Sequence, residues 1–178
     1  MKVKFAKIAP RRYGVLVERM YAPNVAMWPA PGYDEYLPHD LLHFVAEAEW
    51  RLDGAVFGQL ARGGDAGTFI PVDKSLIPKT MRRRKLARKG KPRGRRSEVL
   101  AHLLHDAWHA RNGHQPLPSD WEESLAAARV TPTRLERVLA SLDDLADQWH
   151  SLHVGESLTL EWPRPERRPH RRAARATA

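Results

Sequence analysis

Hydrophobic and polar positions alternate at the start of the chain. In VKFAKIA, Val3 and Phe5 face one way and Lys2 and Lys4 the other, the period of two that a half-buried strand requires. APRRYG supplies turn residues, and YGVLVERM predicts the returning strand of a hairpin. YAPNVAMWPAPGYDEY is rich in proline and aromatics and predicts a loop holding one short strand at Val25–Trp28. The period then becomes helical. Leu41, Phe44, Val45, Ala48 and Leu52 share one stripe and predict a helix from about Pro38 to Leu52. Pro38 suits the first helical position and Gly54 the stop.

A short apolar piece, AVFGQLA, leads into the turn RGGDAG. A second long helix is expected to begin at Ser97 as its cap and to end before Gly113. Ser119-Asp120-Trp121-Glu122 reads as the capping box of a third. A fourth starts near Thr131-Pro132 and carries Leu135, Val138, Leu139, Leu142, Leu145, Ala146 and Trp149 at core spacing. SLTLEW, 157–162, predicts a last strand pairing with the hairpin. The fold class expected is α+β: an N-terminal β-hairpin plus a late C-terminal strand with about four helices. Residues 1–162 read as one domain, with a basic, partly flexible segment at 79–96, and 163–178 as a disordered Arg-rich tail.

Charge sharpens that division. Residues 79–96 carry 11 basic residues and no acid, and 163–178 net +5, so the rest of the chain nets −7 of the total +9. The high pI belongs to two segments rather than to the folded body. Arg82, Arg83, Arg84, Lys85, Arg88 and Lys89 are candidate contacts to nucleic acid or to another acidic partner. The segment has no interleaved aromatics for stacking on bases, and its plainer reading is a solvated linker whose Arg content follows genome bias. There is no cysteine, so disulfides and thiolate metal sites are excluded. No window approaches the roughly 18 apolar residues of a membrane helix, and MKVKFAKIAPRR lacks a signal-peptide core. The expectation is a soluble cytoplasmic protein with no membrane contact.

The candidate chemistry lies in the histidines. LPHDLLH, 37–43, places His39 and His43 four apart on the first helix, with Glu47 one turn further. HDLLH differs from the zinc-hydrolase pattern H-E-x-x-H by one methylene. In that pattern two histidines hold the metal and the acid acts as general base. His39, His43 and Glu47 are therefore candidate ligands for zinc, and Asp40 a candidate base. His39, His43 and Glu47 turn away from the helix's apolar stripe. Asp40 also has a plainer role: with Leu37 as N-cap it would sit at the third helical position and serve the cap. HDAWH, 105–109, repeats the pattern on the second long helix. His105 and His109 are candidate ligands there, and Asp106 has a plainer partner in His102 at i,i+4. The two histidine faces would share a metal if they met. His150 and His153 read as surface residues.

The run 35–69, EYLPHDLLHFVAEAEWRLDGAVFGQLARGGDAGTF, resembles an uncharacterised bacterial protein family with a stretch close to LPHDLxHFxVExE followed by GxFGxLAxG. Gly54, Phe57, Gly58, Leu60, Ala61 and Gly63 supply the second part. The resemblance implies that His39, Asp40, His43 and Glu47 belong to one motif, and it implies no reaction. AHLLHDAW also resembles the phosphohydrolases named for their His-Asp dipeptide. That would require His43 upstream and Asp143 or Asp144 downstream as co-ligands, and the N-terminal strands do not suit an all-helical family. Two functions remain open: a divalent-metal protein, a divergent metal-dependent hydrolase if it is an enzyme, or a non-enzymatic module binding a polyanion through 79–96.

Overall fold

The computed structural model describes residues 1–32, 34–81 and 94–166. Five antiparallel strands form one sheet: β1 (Lys2–Ala9), β2 (Arg12–Glu18), β3 (Val25–Met27), β4 (Ile70–Pro71) and β5 (Ser157–Glu161). Their order across the sheet is β4-β3-β2-β1-β5. The principal helices are α1 (His39–Glu49), α2 (Val56–Ala61), α3 (Arg95–Arg111), α4 (Trp121–Ala127) and α5 (Pro132–Ser151). The α+β class, the hairpin and the late strand on β1 are as the alternation predicts. No helix of the described residues is long and apolar enough to cross a membrane.

The β1–β2 register places Val3 opposite Val17 and Phe5 opposite Val15, so the apolar sides of both strands face the core together. Phe5 meets Phe44 of α1 edge-on, with ring centroids 6.1 Å apart, and Phe57 of α2 at 6.3 Å. Phe44 and Phe57 also pack on Trp162, just beyond β5. This aromatic cluster joins the sheet to the first two helices.

Several ends differ from the sequence reading by a residue or two, each with a local cause. Pro38 is the cap of α1 rather than its first residue. The helix stops at Trp50, before Gly54. Arg51 takes the left-handed conformation (φ 55°), and the Leu52 amide donates back to Glu47 O at 3.0 Å. Ser97 is not a cap, because α3 begins two residues earlier after Gly94 and Ser97 turns inward. Ser119 does not cap α4, whose cap position is Asp120. Thr131 does cap α5, accepting from the Arg134 amide, with Pro132 at the first position. At the far end of α5, Lys7 Nζ donates to Trp149 O (3.0 Å) and Leu152 O (2.9 Å), so β1 caps that helix.

Residues 163–166, read as the start of the tail, lie against the body. Arg164 donates to Asp53 Oδ1 at 2.8 Å and to Ala48 and Glu47 carbonyls, and its guanidinium stacks over Trp162 at 4.2 Å. Glu166 pairs with the N-terminal amine at 2.8 Å.

Gly58 marks the tightest backbone approach in this region. A Cβ there would lie 2.5 Å from the Asp53 backbone. The neighbour is main chain, so no rotamer change relieves the clash. Gly58→Ala is expected to cost on the order of 2 kcal/mol or more by displacing α2, read as a lowered urea midpoint. An unchanged midpoint would show that the loop at Asp53 yields freely.

Candidate metal centre

Two helices carry the histidine motifs, and they pack against each other with the N-terminal turn of α3 over α1. The motifs themselves do not merge into one site. His43 of α1 meets the start of α3: its Nδ1 lies 2.8 Å from Ser97 Oγ and its Nε2 3.5 Å from Glu98 Oε2. His39 stands beside it, exposed, with ring centroids 4.8 Å apart. His105 and His109 lie two to three turns further along α3 and meet the loop before α1 instead.

That loop supplies Asp34. Its Oδ2 lies 3.1 Å from His109 Nε2 and 3.5 Å from His105 Nε2. Its Oδ1 accepts from the Tyr36 (2.8 Å) and Leu37 (2.9 Å) amides, a turn that holds the carboxylate in place. The ligand atoms of Asp34, His105 and His109 all lie within 4.8 Å of one another, close enough to hold a metal ion. Among the described residues this is the group of three that does so.

The rest of α3 orients this pair. Asp106 is buried and accepts from His105 Nδ1 at 3.1 Å, which leaves His105 Nε2 facing Asp34. Its other oxygen lies 3.4 Å from His102 Nε2, the i,i+4 contact its spacing predicts. Gly113, at φ 73°, ends α3, and the His114 amide donates to His109 O at 2.9 Å. This turn brings His114 back beside the pair. His114 stacks on Tyr36 at 3.7 Å, with its centroid 5.5 Å from that of His109.

Electrostatics follow from these contacts. Burial opposes ionisation of Asp34, but the hydrogen bond from His105, the Leu37 and Tyr36 amides and the charge of His109 outweigh it. The carboxyl stays well below its usual range. The Asp34 hydrogen bond raises His105, while burial lowers His109. One imidazole is thus biased toward the charged form and its neighbour toward the neutral one.

The α1 residues have other surroundings. Glu47 is fully buried. Its Oε1 accepts from the Val56 amide (3.0 Å) and Ser97 Oγ (2.9 Å), and its Oε2 from the Phe57 (2.7 Å) and Gly58 (3.2 Å) amides. It caps α2 from outside that helix, satisfying amides that have no partner within it. The polar side of α1 is therefore covered, not solvated: His43 and Glu47 are buried under α3 and the start of α2. Burial pushes the Glu47 carboxyl up to about 7, against four donors that favour the anion. Burial also lowers His43.

Asp40 falls at the second helical position and makes no cap bond. Instead it accepts from Tyr13 Oη of β2 at 2.7 Å. Burial raises both of these groups above their ordinary values. Asp143 accepts from Trp108 Nε1 at 2.9 Å and pairs with Arg111, so it does not join the histidines as a His-Asp phosphohydrolase would need. His150 and His153 are exposed. Arg82, Arg83, Arg84, Lys85, Arg88 and Lys89 lie outside the described residues.

Spacing on one helix points to His105 and His109 as candidates, but not to Asp34, to Ser97 as a buried donor, or to Glu98. Asp34 sits in an aperiodic loop. The one signal for it was an acid in a Pro/Gly-rich stretch just upstream of a histidine helix. Compared with known protein families, curated proteins and solved structures, the chain matches none.

The Glu47 environment has a measurable consequence. Its carboxyl is raised, so the folded chain holds that proton more tightly than the unfolded one. Stability is then lost as pH rises from about 4.5 through about 7. Glu47→Gln removes this dependence but turns amide hydrogens toward groups that are themselves donors, costing about 1–3 kcal/mol. The variant's deficit in urea is expected to be larger at pH 5 than at pH 8. Denaturation curves displaced equally at both pH values would contradict the buried carboxyl's role.

Proposed function

We propose that the protein binds a divalent transition metal, zinc being the best match, at Asp34, His105 and His109. The observation that carries this is the convergence of two imidazole Nε2 atoms on one oxygen of Asp34. Two tetrahedral ligands at zinc distances of about 2.0–2.1 Å stand about 3.3 Å apart. The separations of 3.1 and 3.5 Å bracket that value. Two histidines with one carboxylate suit zinc, and an i,i+4 pair with a third ligand from a separate loop avoids the splay of three ligands on one straight helix. Asp106 plays the orienting role that carboxylates take behind metal-bound histidines.

Three protein ligands leave a coordination position for water, as in catalytic rather than closed structural zinc sites. Bound zinc supplies a water acidified to near neutral pH. The function supported best is therefore metal-dependent hydrolysis. Asp106 stands where the base of H-E-x-x-H stands in sequence, yet its carboxylate is committed to His105 and His102. It is a positioning residue here.

Zinc affinity of untagged protein, measured against a chromophoric chelator, tests this reading. Asp34→Asn keeps an oxygen for the Tyr36 and Leu37 amides while removing the charge, and is expected to weaken zinc binding at this centre at least 100-fold. Asp106→Asn is expected to weaken it 10–100-fold through His105. Wild-type affinity in both variants would reduce the cluster to an Asp–His hydrogen-bond network.

A further inference from the structure

We propose that His39, His43 and Glu98 form a second, separate site for a divalent transition-metal ion, at the junction of α1 with the first turn of α3. His43 is a buried histidine whose one open ring nitrogen points out of the core. Glu47 Oε1 accepts the hydrogen bond that the Ser97 hydroxyl donates, so Ser97 Oγ is left to accept from His43 Nδ1. That chain fixes the tautomer: Nδ1 carries the hydrogen and Nε2 carries the lone pair. The arrangement is the same as that behind His105, with Ser97 and Glu47 in place of Asp106.

One further donor stands at that nitrogen, and a second lies one turn away. Glu98 Oε2 is 3.5 Å away, on a side chain that is 67 % exposed and free to close. His39, one turn before His43, is exposed, with ring centroids 4.8 Å apart, and its ring has to turn to bring a nitrogen to the ion, because these three ligand atoms are not preassembled within 4.8 Å as those of Asp34, His105 and His109 are. An i,i+4 histidine pair with a carboxylate from a second helix is again a His₂-carboxylate set, matching borderline ions such as zinc or cobalt. Glu49 pairs with Arg134, and Asp40 is held by Tyr13, so neither competes for the ion.

The two centres are independent. Glu98 and His105 are seven residues apart on α3, a rise of about 10 Å. Bridged two-metal sites need about 3.5–4 Å. Each centre therefore holds its own ion, and the inner one clamps α3 to α1.

Titration of the full-length untagged chain with Co²⁺, followed by its visible absorption, distinguishes the two. Wild type is expected to take two equivalents, His39→Ala one, Asp34→Asn one, and the combined variant none at micromolar concentration. His39 is exposed, so its removal leaves the core intact, which circular dichroism checks. Ser97→Ala is expected to weaken the inner site 10–100-fold and to spare the other. A His39→Ala protein that takes up Co²⁺ as wild type does overturns the second site. So does a wild type that takes one equivalent and loses it in Asp34→Asn, an outcome that leaves the proposed function standing. One equivalent lost in His39→Ala and kept in Asp34→Asn supports the second site and removes the first.

Discussion

Everything near the histidines depends on one buried carboxylate. Glu47 gathers three amides of α2 and the hydroxyl of Ser97, so a single side chain on α1 fixes both helices that follow. A charge-bearing group with no solvent contact is costly unless every lone pair is used, and here four donors use them. Because Ser97 is tied at the start of α3, the rest of that helix is held in register along α1. Two turns on, His105 and His109 arrive beside the loop that precedes α1, where Asp34 waits in a turn of its own. The Asp34–His105–His109 group is thus placed by an interaction that is not part of it.

The two H-D-x-x-H runs show how little a local pattern fixes. Both put two histidines on one face of a helix with an acid after the first. In the first run the acid leaves the motif for Tyr13 of the sheet, and the second histidine goes to Ser97. In the second run the acid turns back onto its own histidines, and the cluster is completed by Asp34 in a loop 71 residues before His105. Surroundings decide the difference: α1 lies between the sheet and α3, whereas the far half of α3 packs on α5 through Trp108 and Arg111 and turns its histidines toward the loop that holds Asp34.

Period and punctuation were enough for the frame. Val3 and Phe5 against Lys2 and Lys4 gave away β1, the seven apolar positions from Leu135 to Trp149 gave away α5, and Thr131-Pro132 marked its start. What stayed hidden was non-local. Ser97 has the chemistry of a cap, and only the position of Glu47 makes it a core donor. His43 and Glu47 lie off the apolar stripe of their own helix, so nothing local says that a second helix covers them. Ile70–Pro71 is too short to show a period, and Asp34 belongs to a segment whose shape is set by turns. His105 and His109 were legible as a pair because i,i+4 spacing on a long helix needs no tertiary information.

The central claim is that Asp34, His105 and His109 hold a metal ion together. Crystals of the zinc-loaded protein, with data collected on both sides of the zinc absorption edge, test it directly. The account predicts an anomalous peak about 2.0–2.1 Å from Asp34 Oδ2, His105 Nε2 and His109 Nε2. Zinc-saturated crystals with no peak between these three atoms would contradict it.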